Sequence, residues 1–207
     1  MWGEYMGFHS APEKRATEVK AALTATPMAE LCSRANDLGR ASEGIRGLAS
    51  SLKEMSAAAL VATPIWEGGP VPEPLGRPFG SEGGARDVLR EALLRVADAT
   101  AARLVFCELR SECLLDLYMP SPSVADVRPA LRALDVRLGA LPTLLPAVSI
   151  RRLLLTRIYA ACGRAYEEVL LDASSSRRWA ANDSETVRAD FALLQDFFLA
   201  KNAKGEP

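Results

Sequence analysis

Apolar side chains recur in steps of three and four along most of this chain, and prolines cut the runs apart. That spacing follows the 3.6-residue turn of an α-helix and gathers the apolar groups on one face, which must then be covered by another helix. One run is Met28, Leu31, Ala35, Leu38, Ser42, Ile45, Ala49 and Leu52. A second is Leu89, Leu93, Val96, Thr100 and Leu104, continued after a small rotation by Leu109, Cys113 and Leu117. The cleanest is Val124, Val127, Leu131, Leu134, Leu138 and Leu141. No segment alternates apolar and polar residues as a half-buried strand would. The pattern predicts an all-α protein, an elongated bundle or rod of long antiparallel helices.

Breakers set the boundaries. Residues 1–63 form an N-terminal helical segment, with a short helix over 12–25 that Pro27 ends and a longer one from Met28. Gly39, Gly44 and Gly47 weaken the longer helix, each by roughly 1 kcal/mol relative to alanine where exposed. Residues 64–84 hold 11 Gly or Pro among 21 positions and read as a linker or insertion, with no P-x-x-P spacing for a recognition module. Residues 85–200 form the main helical domain, and 201–207 a flexible tail. Within that domain a rod of about 48 Å runs from Arg86 to Leu117 until Pro120 and Pro122 stop it. Pro129 suits only the first turn of the next helix, and Pro142 and Pro146 interrupt it. A further helix runs from about Ala147 to Leu171. A polar loop follows, and Asn182 with Glu185 resembles a capping box opening the last helix, whose buried face is Val187, Phe191, Leu194 and Phe198.

Composition excludes several function classes. The formal net charge is −1, with arginines and carboxylates interspersed, so the phosphate-neutralising stripe of a nucleic-acid binder is missing. Aromatics are only 6% of residues, which leaves Leu, Val and Ala to build the core. The four cysteines, Cys32, Cys107, Cys113 and Cys162, form no C-x-x-C pair and read as small buried hydrophobes in a reducing compartment. Met1 to Arg15 lacks the apolar centre of a signal peptide, and no run reaches the ~18 apolar residues of a membrane span. The expected location is cytoplasmic, peripheral to membranes at most.

The chain offers little for catalysis. Its single histidine, His9, lies in the weakly patterned N-terminus, which removes the usual base of Ser/His/Asp or Cys/His chemistry. Zinc would want four Cys or His ligands, and Cys107 and Cys113 have no companions. Gly80-Ser81-Glu82-Gly83-Gly84 lacks the preceding strand and the Gly-Lys-Ser/Thr ending of a phosphate loop. Glu108 and Glu112 have the spacing to share a face but no histidine beside them. We expect no catalytic residues, no cofactor and no metal. Arg151, Arg152 and Arg157 are candidate contacts to an anionic lipid or an acidic partner helix, within a local excess of arginine that extends to Arg164, Arg177 and Arg178. Trp179 beside them reads as a loop residue closing over the core.

Four places carry a family likeness. They are Ala99-Thr100-Ala101-Ala102-Arg103-Leu104-Val105-Phe106 with Glu108-Leu109-Arg110, then Leu117-Tyr118 before a Pro/Ser turn, then Glu168-Val169-Leu170-Leu171, and finally Asp183 with Arg188-Ala189-Asp190-Phe191 and Leu194-Gln195-Asp196-Phe197-Phe198. Together they resemble the C-terminal part, the second Munc homology region, of the plant-type MUN-domain proteins, a vesicle-priming and tethering family. Leu31-Cys32-Ser33-Arg34-Ala35-Asn36-Asp37-Leu38 resembles an earlier segment of that family. Ala173-Ser174-Ser175-Ser176 departs from the family's Gly-Gly-Pro-Ser loop but retains Arg177.

The resemblance implies a helical-rod tethering module that serves vesicle docking or priming in exocytic traffic without catalysis. Its implied partners are SNARE-type helices or tether subunits. Arg177, Asp183, Asp190, Phe191, Leu194 and Phe198 are its structural motif residues, fixing the loop and packing the last helix. A generic helical adaptor and a peripheral module binding anionic lipid are the alternatives.

Overall fold

The computed structural model describes residues 21–62, 84–173 and 175–203. The proposed linker, apart from Gly84, lies outside the described residues, as do His9 and residues 204–207. Every regular element among the described residues is helical, and the chain is an all-α bundle.

Residues 21–25 are helical and break before Pro27. Helix α1, Met28–Ala62, starts with the carbonyl of Pro27 accepting from the amides of Glu30 and Leu31. Helix α2, Ala85–Arg103, runs on through two π-helical segments, Leu104–Glu108 and Ser111–Leu115. The Leu109 amide donates to the Leu104 carbonyl at 2.8 Å, and the Asp116 amide to the Ser111 carbonyl at 2.7 Å. Both are five-residue steps, so each wide turn accommodates one residue more than an α-turn. This explains the rotation in the apolar stripe, whose step from Leu104 to Leu109 is five.

Helix α3 is Arg128–Gly139, α4 the single turn Leu141–Leu144, α5 Val148–Leu171 and α6 Asp183–Ala203. Pro129 sits in the first turn of α3, where its missing amide costs nothing. The stripe expected from Val124 therefore begins later: Val124 is exposed, Val127 is buried just before the helix, and Leu134, Leu138 and Leu141 carry the burial onward. Pro142 falls in the first turn of α4, and α5 starts two residues after Pro146.

Consecutive long helices run antiparallel. Arg103, at the end of α2, donates to the carbonyls of Leu23 and Thr24 just ahead of α1. Arg137 near the end of α3 reaches Glu108, while Val127 before α3 lies by Leu117. Tyr166 late in α5 meets Val187 early in α6, and Tyr159 meets Phe198 further along it. Helices two apart consequently run parallel, as the pairings of α5 with α2 show: Arg157 with Asp98 at 3.4 Å, and Val169 across a cleft from Phe106.

The core gathers Val105, Leu134, Leu138, Leu145 and Ile158, with Ala101, Ala161 and Ala165 letting α2 and α5 approach closely. A fully buried Leu or Ile contributes roughly 2 kcal/mol, so the centre of α5 anchors the bundle. Cys32, Cys113 and Cys162 are buried thiols, and burial pushes Cys32 up to about 11 and Cys113 up to about 12. No described helix is long and apolar enough to cross a membrane.

Candidate functional site

The departures from regular structure collect at one end of the bundle, where α2 and α5 finish and α6 starts. After the second π turn the backbone reverses at Tyr118, which has φ of 60°. That left-handed conformation costs a non-glycine residue on the order of 1 kcal/mol and persists only where surroundings hold it. The Met119–Pro120 peptide that follows is cis.

Tyr118 is held from three directions. Its ring is fully buried, edge-on to Tyr166 at 5.9 Å and to Trp179 at 5.5 Å between centroids. Its hydroxyl donates to Asp190 Oδ2 at 2.9 Å and also contacts the Tyr166 hydroxyl, which donates to the Val187 carbonyl at 2.9 Å. The result is a continuous polar line through an apolar setting, Asp190 to Tyr118 to Tyr166 to Val187. Burial pushes the Asp190 carboxyl above its ordinary value, opposed by hydrogen bonds from Tyr118 and the Val127 amide. Burial and the hydrogen bond to its neighbour push Tyr118 up, and burial raises Tyr166 to about 12.

The expectation for α6 needs correction here. Leu194 and Phe198 are buried as anticipated, and Val187 is partly buried. Phe191 is 42% exposed, with its ring against Tyr166 at 5.9 Å, whereas its neighbour Asp190 is only 4% exposed. The inward line thus passes through Asp190, because Tyr118 supplies it a partner, and Phe191 is turned toward solvent.

Arg177 closes the loop between α5 and α6 onto the end of the α2 rod. Its side chain is 5% exposed. Nε donates to the Leu117 carbonyl at 2.8 Å, Nη2 donates to the Leu114 carbonyl, and Nη1 pairs with Asp172 at 3.7 Å. A helix end leaves carbonyls without amide partners, and a cation is well suited to them. The Arg178 amide adds a bond to the Pro120 carbonyl at 2.9 Å. Asp183 Oδ2 accepts from the Ala180 amide at 2.6 Å, tying the loop to the first turn of α6; Asn182 takes part through its backbone carbonyl, which accepts from Glu185.

Beside this joint lies an open cleft of about 360 Å³ between the π turns, the end of α5 and the loop. Phe106, Leu114, Leu115, Met119 and Val169 supply apolar walls, and Arg110, Glu168, Asp172, Ser175 and Ser176 supply polar ones. Leu115 is exposed at its edge, and Leu171 at the end of α5 is 80% exposed. No group of His, Cys, Asp and Glu suited to a metal ion occurs among the described residues.

The three arginines considered as lipid or partner contacts are placed differently from one another. Arg151 folds back so that Nη1 donates to the carbonyls of Leu145 at 2.7 Å and Pro146 at 2.8 Å, ending α4. Arg157 pairs with Asp98 at 3.4 Å between α5 and α2. Arg152 is exposed and makes no ion pair with a described residue.

Sequence reasoning did not single out Tyr118 and Tyr166 as a pair. The available signals were a tyrosine directly before a proline-rich stop, and a tyrosine within an otherwise aliphatic helix face.

Comparison with known proteins places the chain in a family. Among curated proteins, an Arabidopsis thaliana protein described as "Protein unc-13 homolog" is 29% identical over 117 residues. The match takes in 56% of this chain and 10% of that relative's length. No solved structure matches. The family described as "PATROL1-like, TPR repeats" matches residues 7–205, nearly the whole chain. The chain belongs to this PATROL1-like family of helical proteins.

Proposed function

We propose that this chain is a non-enzymatic helical interaction module of membrane traffic, serving vesicle docking or priming through contacts with SNARE-type helices or tether subunits. The observation that carries the reading is the 117-residue match to the unc-13 homolog, joined to an all-helical build. The likeness of Glu108-Leu109-Arg110 and of Asp190-Phe191 through Phe198 to the second Munc homology region gives it finer support. Helical bundles recognise partner helices by laying apolar faces together, and this bundle keeps Leu115, Leu171, Trp179 and Phe191 exposed at the end that carries the cleft. The module acts by binding, with no bond made or broken.

The test is affinity capture with the tagged full chain from cells, with quantitative identification of what is retained. Enrichment of SNARE or tether components over a tag-only control is the expected result. Recovery of a single unrelated partner instead would favour a general adaptor and end the trafficking reading.

A further inference from the structure

Building on that reading, we propose that the cleft beside Arg110 is the docking site itself, and that its occupant is an amphipathic helical segment of a protein partner, aliphatic on one face and carrying a carboxylate at its edge.

Three observations lead there. The first is shape. Two π turns and a left-handed tyrosine fall within a span of 15 residues, Leu104–Tyr118, and both π turns, with Met119 next to that tyrosine, border one opening. Regular α-helix is cheaper than any of these, and such irregularities concentrate where a surface is shaped for use. The wide turns place Phe106 and Leu114 in the cleft wall, and Leu115 at its exposed edge.

The second is the apolar lining. Phe106, Leu114, Leu115, Met119 and Val169 face an opening of about 360 Å³, enough for one or two aliphatic side chains rather than a large cofactor. Met119 supplies an adaptable wall of the kind used at peptide grooves.

The third is charge. The cleft holds two arginines and two carboxylates. Arg177 and Asp172 are paired with each other, and Arg177 is further engaged by backbone carbonyls. Glu168 also has a partner within the chain. Arg110 is exposed and pairs with no described carboxylate. The charge left for an incoming chain is therefore positive, and an acidic group at the edge of the occupant would meet it.

The experiment measures fluorescence anisotropy with three labelled helical peptides of equal length: a Leu/Glu amphipath, a Leu/Lys amphipath and a Ser/Glu control. Each is titrated with the full chain, with Arg110→Glu and with Leu115→Asp. Both substitutions are at exposed positions, and circular dichroism checks that each variant keeps the parent helicity. The Leu/Glu peptide should bind the parent and lose about tenfold in affinity on Arg110→Glu. Leu115→Asp should weaken it as well, and Arg110→Glu should shift preference toward the Leu/Lys peptide. Absence of Leu/Glu binding, equal binding of the Ser/Glu control, or indifference to Arg110→Glu would overturn the proposal. Repeating the cellular capture with Arg110→Glu separates the two ideas: retained SNARE or tether components would leave the trafficking role standing and remove the cleft from it.

Discussion

The Tyr118 hydroxyl donates to Asp190 Oδ2 at 2.9 Å, joining the end of the α2 rod to the face of α6 across 72 residues of sequence. Three oxygen-to-oxygen links connect Asp190, Tyr118, Tyr166 and the Val187 carbonyl. Burial pushes the Asp190 carboxyl above its ordinary value, and the hydrogen bond donated by Tyr118 opposes that rise.

Asp190 should therefore make folding sensitive to pH. A carboxyl raised in the folded state binds protons more tightly there than in the unfolded chain. Its contribution is full below the ordinary value of 3.8 and is lost as pH rises through the folded value. Asp126 and Arg128 act on the same group with opposite signs. Asp190→Asn, which keeps an oxygen to accept from Tyr118 but does not ionise, should gain stability relative to the parent as pH climbs. Urea melts of both proteins at several pH values between about 4 and 7 measure the difference; a difference that stays flat with pH would contradict the account. Tyr118→Phe should cost about 1–3 kcal/mol by leaving Asp190 without that donor.

Arg177 should be more important to stability than its loop position suggests. Arg177→Ala leaves two carbonyls at the end of the rod without their donor and should cost about 2–3 kcal/mol in thermal or urea unfolding. Arg177→Lys should recover little, because a single ammonium cannot reproduce the forked grip of Nε and Nη2. Hydrogen exchange should accelerate in residues 111–119 in both variants. Unchanged exchange there would show that the carbonyls do not depend on Arg177.

The glycines of α1 should divide by position. Gly44 and Gly47 face open space, so alanine at either should add about 0.5–1 kcal/mol through helix propensity. A Cβ on Gly39 would lie 2.6 Å from Ile150 Cδ1, so Gly39→Ala should gain nothing. Ile150→Val removes that methyl group. The double variant should be more stable than the sum of the two single effects, and a double-mutant cycle by chemical denaturation reads the coupling.

Arg151 and Arg152 are adjacent in sequence yet should behave oppositely. Arg151→Ala releases the Leu145 and Pro146 carbonyls and should cost about 1–2 kcal/mol, while Arg152→Ala should fall within about 0.5 kcal/mol of the parent. Thermal melts of the two variants side by side check this. In flotation with anionic liposomes, any binding by the parent should fall on Arg152→Ala, since Arg157 is already paired with Asp98.

Helical spacing alone made the all-α bundle legible, because apolar steps of three and four have no other regular solution. It also exposed the rod's irregularity, since the five-residue step from Leu104 to Leu109 is a π turn written in the apolar pattern. What periodicity cannot express is a polar residue turned inward on behalf of a distant partner. For that reason Asp190 is marked by the family likeness but not by the apolar pattern, and the pattern puts Phe191 in the core because it is the apolar member of the pair. The arginines show the same limit. Arg151, Arg157 and Arg177 look like one basic region in sequence, but each is committed to a different carbonyl or carboxylate, and those acceptors come from folding rather than from neighbours. The cleft was equally out of reach, since its walls come from residues about 50 or more positions apart.

The two wide turns in the α2 rod also work as an indexing device. Removing one residue from either would let the rod relax to ordinary α-helix and rotate everything beyond it by about 100°. Tyr118 would then swing away from Asp190, and the Leu114 and Leu117 carbonyls from Arg177. One-residue deletions between Leu104 and Leu115 should thus be far more damaging than substitutions at the same sites, because the surplus residues keep the far end of the molecule in phase.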